Sequence, residues 1–308
     1  MTPGAVSEVI RSLPAEVRIR EVGPRDGLQA EQPIDVDQRV QLIDALSETG
    51  LPEIEAVSFV SPTAVPAMAR ADEVMRRIRR RDDVSYVALV PNVRGAELAL
   101  DAGVDGLNVT ISASPAYNEK NVRRTIAESL ASIGEIVARA AGLWVDVTIS
   151  CAFGSPYEGD IPPLDVASLA RQVTEQGATS LTFADTTGMA TPRRVADLVA
   201  VVGTDVRFHF HETRGTGLVN AFCALQLGVS AFDTSVGGLG GSPFAHGAGG
   251  NLATEGLVAM LDDLGVSSGV SIDRVVDAAQ LVGRLVGRPV PSPVAHAGPR
   301  SRLASAEA

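Results

Sequence analysis

The chain has 308 residues, 45% of them hydrophobic and 20% charged, an ordinary globular composition with enough apolar residues for a large core. Its formal net charge of −11 excludes the basic footprint that a nucleic-acid partner requires. Two cysteines, Cys151 and Cys223, make no disulfide framework and point to a reducing, cytoplasmic compartment. The opening MTPGAVSEVIRSLP has no basic stretch leading into an apolar one, so no secretory signal is expected, and no apolar run of about 20 residues predicts a membrane span.

Apolar, β-branched segments recur along the chain: VRIREVG, PEIEAVSF, VSYVALV, DGLNVTI, LWVDVTISC, TSLTFAD, DVRFHFH and AFDTS. Helical periodicity lies between them. Val195, Leu198, Val199 and Val202 fall at i, i+3, i+4 and i+7, and Leu218, Phe222, Leu225 and Leu257, Leu261, Leu264 repeat such spacings. Eight strand–helix units in about 250 residues predict an α/β fold, a (β/α)8 TIM barrel. A doubly wound sheet would place a glycine-rich phosphate turn after its first strand, and GPRDGLQ is no such turn. The expectation is one domain over 1–308: a barrel over about 16–267 whose last helix begins near Asn251, an additional C-terminal helix over about 271–287, and a frayed tail over 295–308.

Barrel chemistry sits at the C-terminal ends of the strands. Arg25, Asp26 and Gln29 follow the first strand, Glu55 and Ser58 lie on the second, Asp185 ends the sixth, and His209 and His211 end the seventh. The GGLGGSPFAHGAGGN segment after the eighth strand leads to Asn251. Strand side chains alternate, so His209 and His211 share one face, and Phe208 and Phe210 take the other. Two imidazoles, the Asp26 carboxylate and the Asn251 amide form a hard oxygen–nitrogen set, which favours Mg or Mn over structural zinc. The alternative is that the histidines only hydrogen-bond within a polar core.

EVGPRDGLQ (21–29), SFVSP (58–62), SCAFGSPYEG (150–159), ADTTGMATP (184–192), HFHET (209–213) and GGLGGSPFAHGAGGNLATE (237–255) together resemble the hydroxymethylglutaryl-CoA lyase family, metal-dependent barrel lyases and aldolases with an Asp–Arg–Glu signature. The resemblance spans about 16–290. It implies retro-Claisen cleavage of a tertiary 3-hydroxyacyl-CoA to acetyl-CoA and a keto acid or ketone. Asp26, His209 and His211 would bind the divalent metal, with Asn251 on or near it. Arg25 would face the thioester oxygen, and Glu55, Asp185 and Glu255 match acidic positions of the family. Glu55 has two readings, a salt bridge that positions Arg25 or direct proton transfer. Relatives are often dimers, so a homodimer is compatible with the resemblance.

The family places a catalytic cysteine where this chain has Ser242. A thiol exchanges protons near neutral pH and an unactivated hydroxyl does not. Ser242 could be activated by a base, another acid such as Glu55 could protonate the enolate, or the activity could be lost, leaving an acyl-CoA-binding homologue. Asp146 stands where the lyases of hydroxymethylglutaryl-CoA commonly have arginine, and Glu212 and Arg214 stand where Asp and Tyr are common. All three are expected near the mouth, where they would alter the acyl group accepted. A related metal aldolase or condensing enzyme is the other enzyme reading.

An acidic protein needs a local cationic patch for coenzyme A. RRIRRR (76–81) ends a helix that runs toward the bottom face, so those arginines are expected in solvent. Lys120, Arg123 and Arg124 follow the fourth strand, in a loop at the top, and are candidates for contacts to the nucleotide. Lys120 is the only lysine, and its place outside the strands excludes a Schiff-base aldolase.

Overall fold

The computed structural model describes residues 13–140, 142–241 and 249–300. Its eight long parallel strands are β1 (Arg18–Glu21), β2 (Glu53–Ser58), β3 (Ser85–Leu89), β4 (Gly106–Ser112), β5 (Trp144–Ser150), β6 (Ser180–Ala184), β7 (Arg207–His209) and β8 (Ala231–Thr234). Each pairs with the next in sequence, and β1 also pairs with β8, so the sheet closes into the expected barrel. Seven of the eight strands lie within the segments read from the sequence, and β4 runs one residue past DGLNVTI, to Ser112.

The helices are α1 (Val36–Ser47), α2 (Ala71–Arg77), α3 (Val93–Asp101), α4 (Pro115–Val122), α5 (Ile126–Arg139), α6 (Pro163–Glu175), α7 (Pro192–Val202), α8 (Gly217–Gln226), α9 (Thr254–Leu264), α10 (Ile272–Val286) and α11 (Pro293–Ala297). Many begin on residues chosen by capping chemistry. Asp35 with Gln38 and Thr125 with Glu128 form reciprocal capping boxes, and Asn92, Ser114 and Thr191 each accept a backbone N–H of the first turn. No helix among the described residues is long and apolar enough to cross a membrane.

Three details depart from the expectation. Lys120 lies in helix α4, not in a loop; that helix stops at Arg123, which takes a left-handed φ of 56°. Helix α9 starts at Thr254 instead of near Asn251, because Asn251 and Ala253 are used in bridges to His211 and Ser235. Helix α11 occupies the first part of the segment expected to fray, with Ala295 buried and the His296 ring 2.7 Å from the Val290 carbonyl.

The apolar core lies between strands and helices. Ile19, Ile54, Tyr86, Leu107, Val145, Phe183, Phe208 and Phe232 are fully buried there. Phe208 and Phe210 stack at 5.2 Å between ring centroids, with Phe153 tilted against both. The lumen differs from the aliphatic layers common in such barrels. The opposite strand parity supplies Arg20, Glu53, Glu55, Asn108, Asp146, Thr182, His209 and Asp233, every one of them buried. Buried charge is tolerated only when paired, and it is paired here: Arg20 with Asp233 and Asp146, Arg207 with Glu53.

The RRIRRR arginines meet acidic partners on the surface, Arg76 with Asp72, Arg77 with Asp37, Arg79 with Asp44, Arg80 with Asp105 and Arg81 with Glu48 and Asp83.

Candidate active site

The first strand leads straight into GPRDG (Gly23–Gly27), a single π-helical turn opened by a proline. The Val22 carbonyl accepts the N–H groups of Arg25, Asp26 and Gly27. This wide turn aims two consecutive side chains, Arg25 and Asp26, at the same mouth; such turns recur at functional sites. Glycine is required at its start, because a Cβ on Gly23 would lie 2.6 Å from a Glu21 oxygen and 2.8 Å from Val236.

Strand β7 delivers His209 to the same place, and His211 follows two residues on. Their Nε2 atoms are 3.1 Å apart, and His209 Nε2 is 4.0 Å from Asp26 Oδ2. The chain then leaves, passes the Gly-rich segment and returns. Residues 249–253 run antiparallel to the end of β7, with the Leu252 N–H on the Phe210 carbonyl and the Glu212 N–H on the Gly250 carbonyl. That return brings Asn251 over the mouth, where its Nδ2 donates to Asp26 Oδ2 at 2.7 Å and to the Leu239 carbonyl at 2.9 Å. Gly240, at φ 116°, keeps the space open: a Cβ there would sit 2.3 Å from Asn251 Nδ2.

These four residues have the character of a cation site. His209 Nδ1 faces Asp233 Oδ2 at 3.2 Å, and His211 Nδ1 faces the Gly249 carbonyl at 3.3 Å. Both partners can only accept, so each imidazole carries its proton on Nδ1 and turns an Nε2 lone pair inward. Two lone pairs at 3.1 Å cannot hydrogen-bond to each other. Asn251 Oδ1 is buried with no hydrogen-bond partner among the described residues. Among the described residues, Asp26, His209 and His211 form one cluster whose ligand atoms all lie within 4.8 Å of one another. Three clustered acceptors of nitrogen and oxygen, with the Asn251 amide beside them, fit a hard divalent ion.

Burial lowers the His209 pKa, but Asp233 and Asp26 outweigh it and raise it above its ordinary value, so without a cation this ring favours its charged form. Burial raises the Asp26 pKa, but Arg25, His209, His211 and the Asn251 hydrogen bond outweigh it and leave Asp26 below its ordinary value. Burial, with His209 adding to it, pushes His211 down to about 4, so it stays neutral.

Arg25 is clamped beside this cluster. Its Nε and Nη2 each reach Glu55 Oε2 at 2.5 Å, and its Nη1 reaches Asp26 Oδ1 at 2.5 Å. Glu55 is fully buried, and its other oxygen accepts from Asn108 Nδ2 at 2.7 Å. With both oxygens engaged, Glu55 has the geometry of a holder of Arg25. Burial lowers the guanidinium pKa, and Glu55 and Asp26 reverse the effect, so the net shift is upward.

The mouth is a cavity of about 130 Å³ lined by Arg25, Asp26, Gln29, Tyr117, Asn121, Thr148, His209 and His211, among others. Asp185 is buried and is not among the lining residues, although its neighbours Ala184 and Thr186 are. Its Oδ1 accepts the Ala190 N–H at 2.8 Å, its Oδ2 has no partner among the described residues, and burial lifts its pKa to about 7 against opposing backbone hydrogen bonds. Glu255 does not line the cavity. It is fully buried at the start of α9, with the Gly237 N–H 3.2 Å from Oε2, and it braces the loop after β8 from beneath. Ser242 lies outside the described residues.

Several other expectations change. Asp146 is not at the mouth; it lies one layer deeper, buried against Arg20, Thr182 and Ser180. Its strand parity aims it into the lumen, but the register of β5 sets it below Thr148. Glu212 caps α8 through the Gly217 and Leu218 N–H groups, and Arg214 ties down the Thr187 and Gly188 carbonyls. Both have structural partners. On the top face, the Lys120 ammonium lies 4.5 Å from the Tyr157 ring centroid and Arg124 donates to the Pro91 carbonyl and Ser132, while Arg123 is exposed. Cys151 is buried and Cys223 packs against the Pro192 carbonyl.

Glu21 has a role the sequence reading missed. Its carboxyl takes the N–H groups of Gly23 and Val236 and meets the Thr254 hydroxyl, so it joins the π turn, the β8 loop and α9. Burial, opposed by those hydrogen bonds, raises its pKa from 4.5 to about 7. The folded state therefore holds this proton more tightly than the unfolded chain. The resulting stability, about 3 kcal/mol, is complete below pH about 4.5 and lost as pH rises through about 7. In thermal melts between pH 5 and 8, Glu21→Gln is expected to remove this decline; a wild-type profile left unchanged by the substitution would rule it out.

A closed βα barrel with a candidate hard-ligand cluster and a clamped guanidinium at its C-terminal mouth has the architecture of the barrel lyases. The HMGL-like family model matches residues 16–282. The chain is 43% identical over 281 residues to the mitochondrial hydroxymethylglutaryl-CoA lyase of Bos taurus, covering 89% of this chain and 86% of that protein. It is 42% identical over 279 residues to the 3-hydroxy-3-isohexenylglutaryl-CoA/hydroxy-methylglutaryl-CoA lyase of Pseudomonas aeruginosa, covering 88% and 93%. Among solved structures, the HMG-CoA lyase of Bacillus subtilis superposes with a TM-score of 0.90 at 40% identity, covering 92% and 98%. An HMG-CoA lyase of Acinetobacter baumannii, solved with coenzyme A and 3-methylmalate, gives 0.89 at 39%, covering 93% and 96%. The chain belongs to the HMGL-like family, and it is a carbon–carbon lyase.

Proposed function

We propose that this lyase cleaves a tertiary 3-hydroxyacyl-CoA of the 3-hydroxy-3-methylglutaryl type to acetyl-CoA and a keto acid, with Mg or Mn at Asp26, His209, His211 and Asn251. The observation that carries the reading is the cluster of Asp26, His209 and His211 beside Arg25 in one mouth, with the Asn251 amide against Asp26. A divalent ion held there supplies Lewis-acid polarisation of the substrate's hydroxyl and carboxylate oxygens. The protein's own groups do the rest. The substrate hydroxyl loses its proton, the C2–C3 bond breaks, and its electron pair moves into the thioester as an enolate. Asp185, with a pKa near 7 and a free oxygen, suits proton transfer at neutral pH. Arg25 is placed to stabilise the enolate oxygen, a charge that exists only as the bond breaks, so it favours the transition state over the bound substrate. Glu55 and Asn108 hold Arg25 at that position.

Arg123, exposed beside the mouth on the same helix end as Lys120, is our candidate for coenzyme A phosphates, with Lys120 and Arg124 as its neighbours. A panel of 3-hydroxyacyl-CoA thioesters incubated with Mg²⁺ or Mn²⁺ tests the reading. Acetyl-CoA is expected from 3-hydroxy-3-methylglutaryl-CoA and not from the free acid. Binding without acetyl-CoA release from any thioester would contradict it. In the same assay Ser242→Cys is expected to raise turnover with little change in KM, because a thiol delivers a proton near neutral pH more readily than a hydroxyl. An unchanged rate would move the proton source elsewhere.

A further inference from the structure

His209 is held from behind by a buried chain of charges that crosses the lumen. Asp233 on β8 faces His209 Nδ1 through Oδ2 at 3.2 Å. Arg20 on β1 grips Asp233 with both edges of its fork, Nε to Oδ1 and Nη2 to Oδ2, each at 2.8 Å. The remaining arm of Arg20 reaches Asp146 Oδ2 at 3.0 Å and Thr182 Oγ1 lies 3.2 Å from Nη2. Asp146 is fixed in turn by the hydroxyls of Thr182 and Ser180, each at 2.7 Å. Arg20, Asp146, Thr182 and Asp233 are all at most 3% exposed, so water does not replace any of these partners.

We propose that Arg20 and Asp233 are positioning residues that hold His209 as a metal ligand, with Asp146 as the anchor of Arg20. The inference rests on the metal-site reading given above. A carboxylate only accepts, so Asp233 keeps the imidazole proton on Nδ1 and leaves the Nε2 lone pair facing Asp26 and His211. Left to itself, Asp233 could turn about its own side-chain torsions. The bidentate grip of Arg20 removes that freedom. Carboxylate partners of this kind fix the tautomer and ring orientation of metal-binding histidines, and their removal weakens metal affinity by about 10- to 100-fold. Asp146 thus serves the metal site from the layer beneath it and not the acyl group at the mouth.

The test is Mn²⁺ affinity, read by electron paramagnetic resonance of free Mn²⁺, for the wild type, His209→Ala, Asp233→Asn, Arg20→Lys and the Arg20→Lys/Asp233→Asn double variant. Asparagine has one acceptor where Arg20 and His209 together need two, so a donor faces a donor in either orientation. Lysine keeps the charge of Arg20 and loses its fork. Asp233→Asn is expected to weaken Mn²⁺ about 10- to 100-fold and Arg20→Lys by a smaller factor. The double variant is expected to be no weaker than Asp233→Asn alone, because the two residues act in series. Folded single variants that bind like the wild type, while His209→Ala does not bind, would overturn the relay and leave the metal site standing. No Mn²⁺ binding by the wild type would overturn both. Should the single variants not fold, long-range proton–nitrogen spectra of the Mg²⁺-loaded wild type decide the matter. A proton on His209 Nδ1 is expected, and a proton on Nε2 would overturn the relay.

Discussion

Asp26→Ala and His209→Ala are each expected to abolish Mn²⁺ binding and acetyl-CoA release together. Each substitution deletes one of the three clustered acceptors that lie within 4.8 Å of one another. A divalent ion contributes several kcal/mol of charge stabilisation, so a rate loss of about 10³-fold or more is expected. The two effects must travel together. Equilibrium dialysis with Mn²⁺ and the acetyl-CoA assay on the same preparations check this. A variant that loses the ion yet retains wild-type turnover would remove the metal from the mechanism.

Arg25→Met separates binding from chemistry. Methionine spans part of the arginine stem but carries no charge, so the metal ligands remain and a repelling cation is gone. Mn²⁺ affinity is expected to stay the same or tighten. The rate of cleavage is expected to fall by about 10²- to 10³-fold, the usual effect of removing one fixed donor from a developing oxyanion. The substitution also strands Glu55, which is fully buried and meets Arg25 at 2.5 Å. Unpaired buried carboxylates cost about 3–5 kcal/mol, so the single variant should melt lower. Adding Glu55→Gln should restore much of that stability, with Asn108 still bonded, and restore none of the rate. Recovery of cleavage in the double variant would assign Arg25 a merely structural place.

The barrel was legible because its strands carry two independent signals. Ile19, Ile54, Phe208 and Phe232 mark the buried outer face, and the intervening Arg20, Glu55, His209 and Asp233 mark the lumen. Period-two alternation therefore gave the faces of His209 and His211 and of Phe208 and Phe210. It could not give depth. Asp146 has the lumen parity of a mouth residue, but the barrel register pairs it with Asn108 and Ser180, a layer below. Depth is fixed by hydrogen-bond register across strands, which no local pattern encodes.

For the same reason the Arg20–Asp233 pair, 213 positions apart in the chain, went unread, although the parity of both residues was visible. Helix α4 was missed for a different reason. The Ser114–Pro115 start and the Thr125–Glu128 capping box were present in the sequence, but they bound a helix of only eight residues with a weak apolar face. Asn251 reaches Asp26 by an antiparallel bridge to His211, a tertiary feature that no local pattern encodes.

The central claim is that one divalent ion sits among Asp26, His209, His211 and Asn251, at the side of Arg25. Anomalous diffraction from a crystal of this protein soaked in Mn²⁺ tests it most directly. The expected result is a single strong peak bonded to Asp26 Oδ2, both Nε2 atoms and Asn251 Oδ1. A peak elsewhere, or an Nε2–Nε2 contact of the two histidines persisting with no peak between them at saturating Mn²⁺, would contradict it.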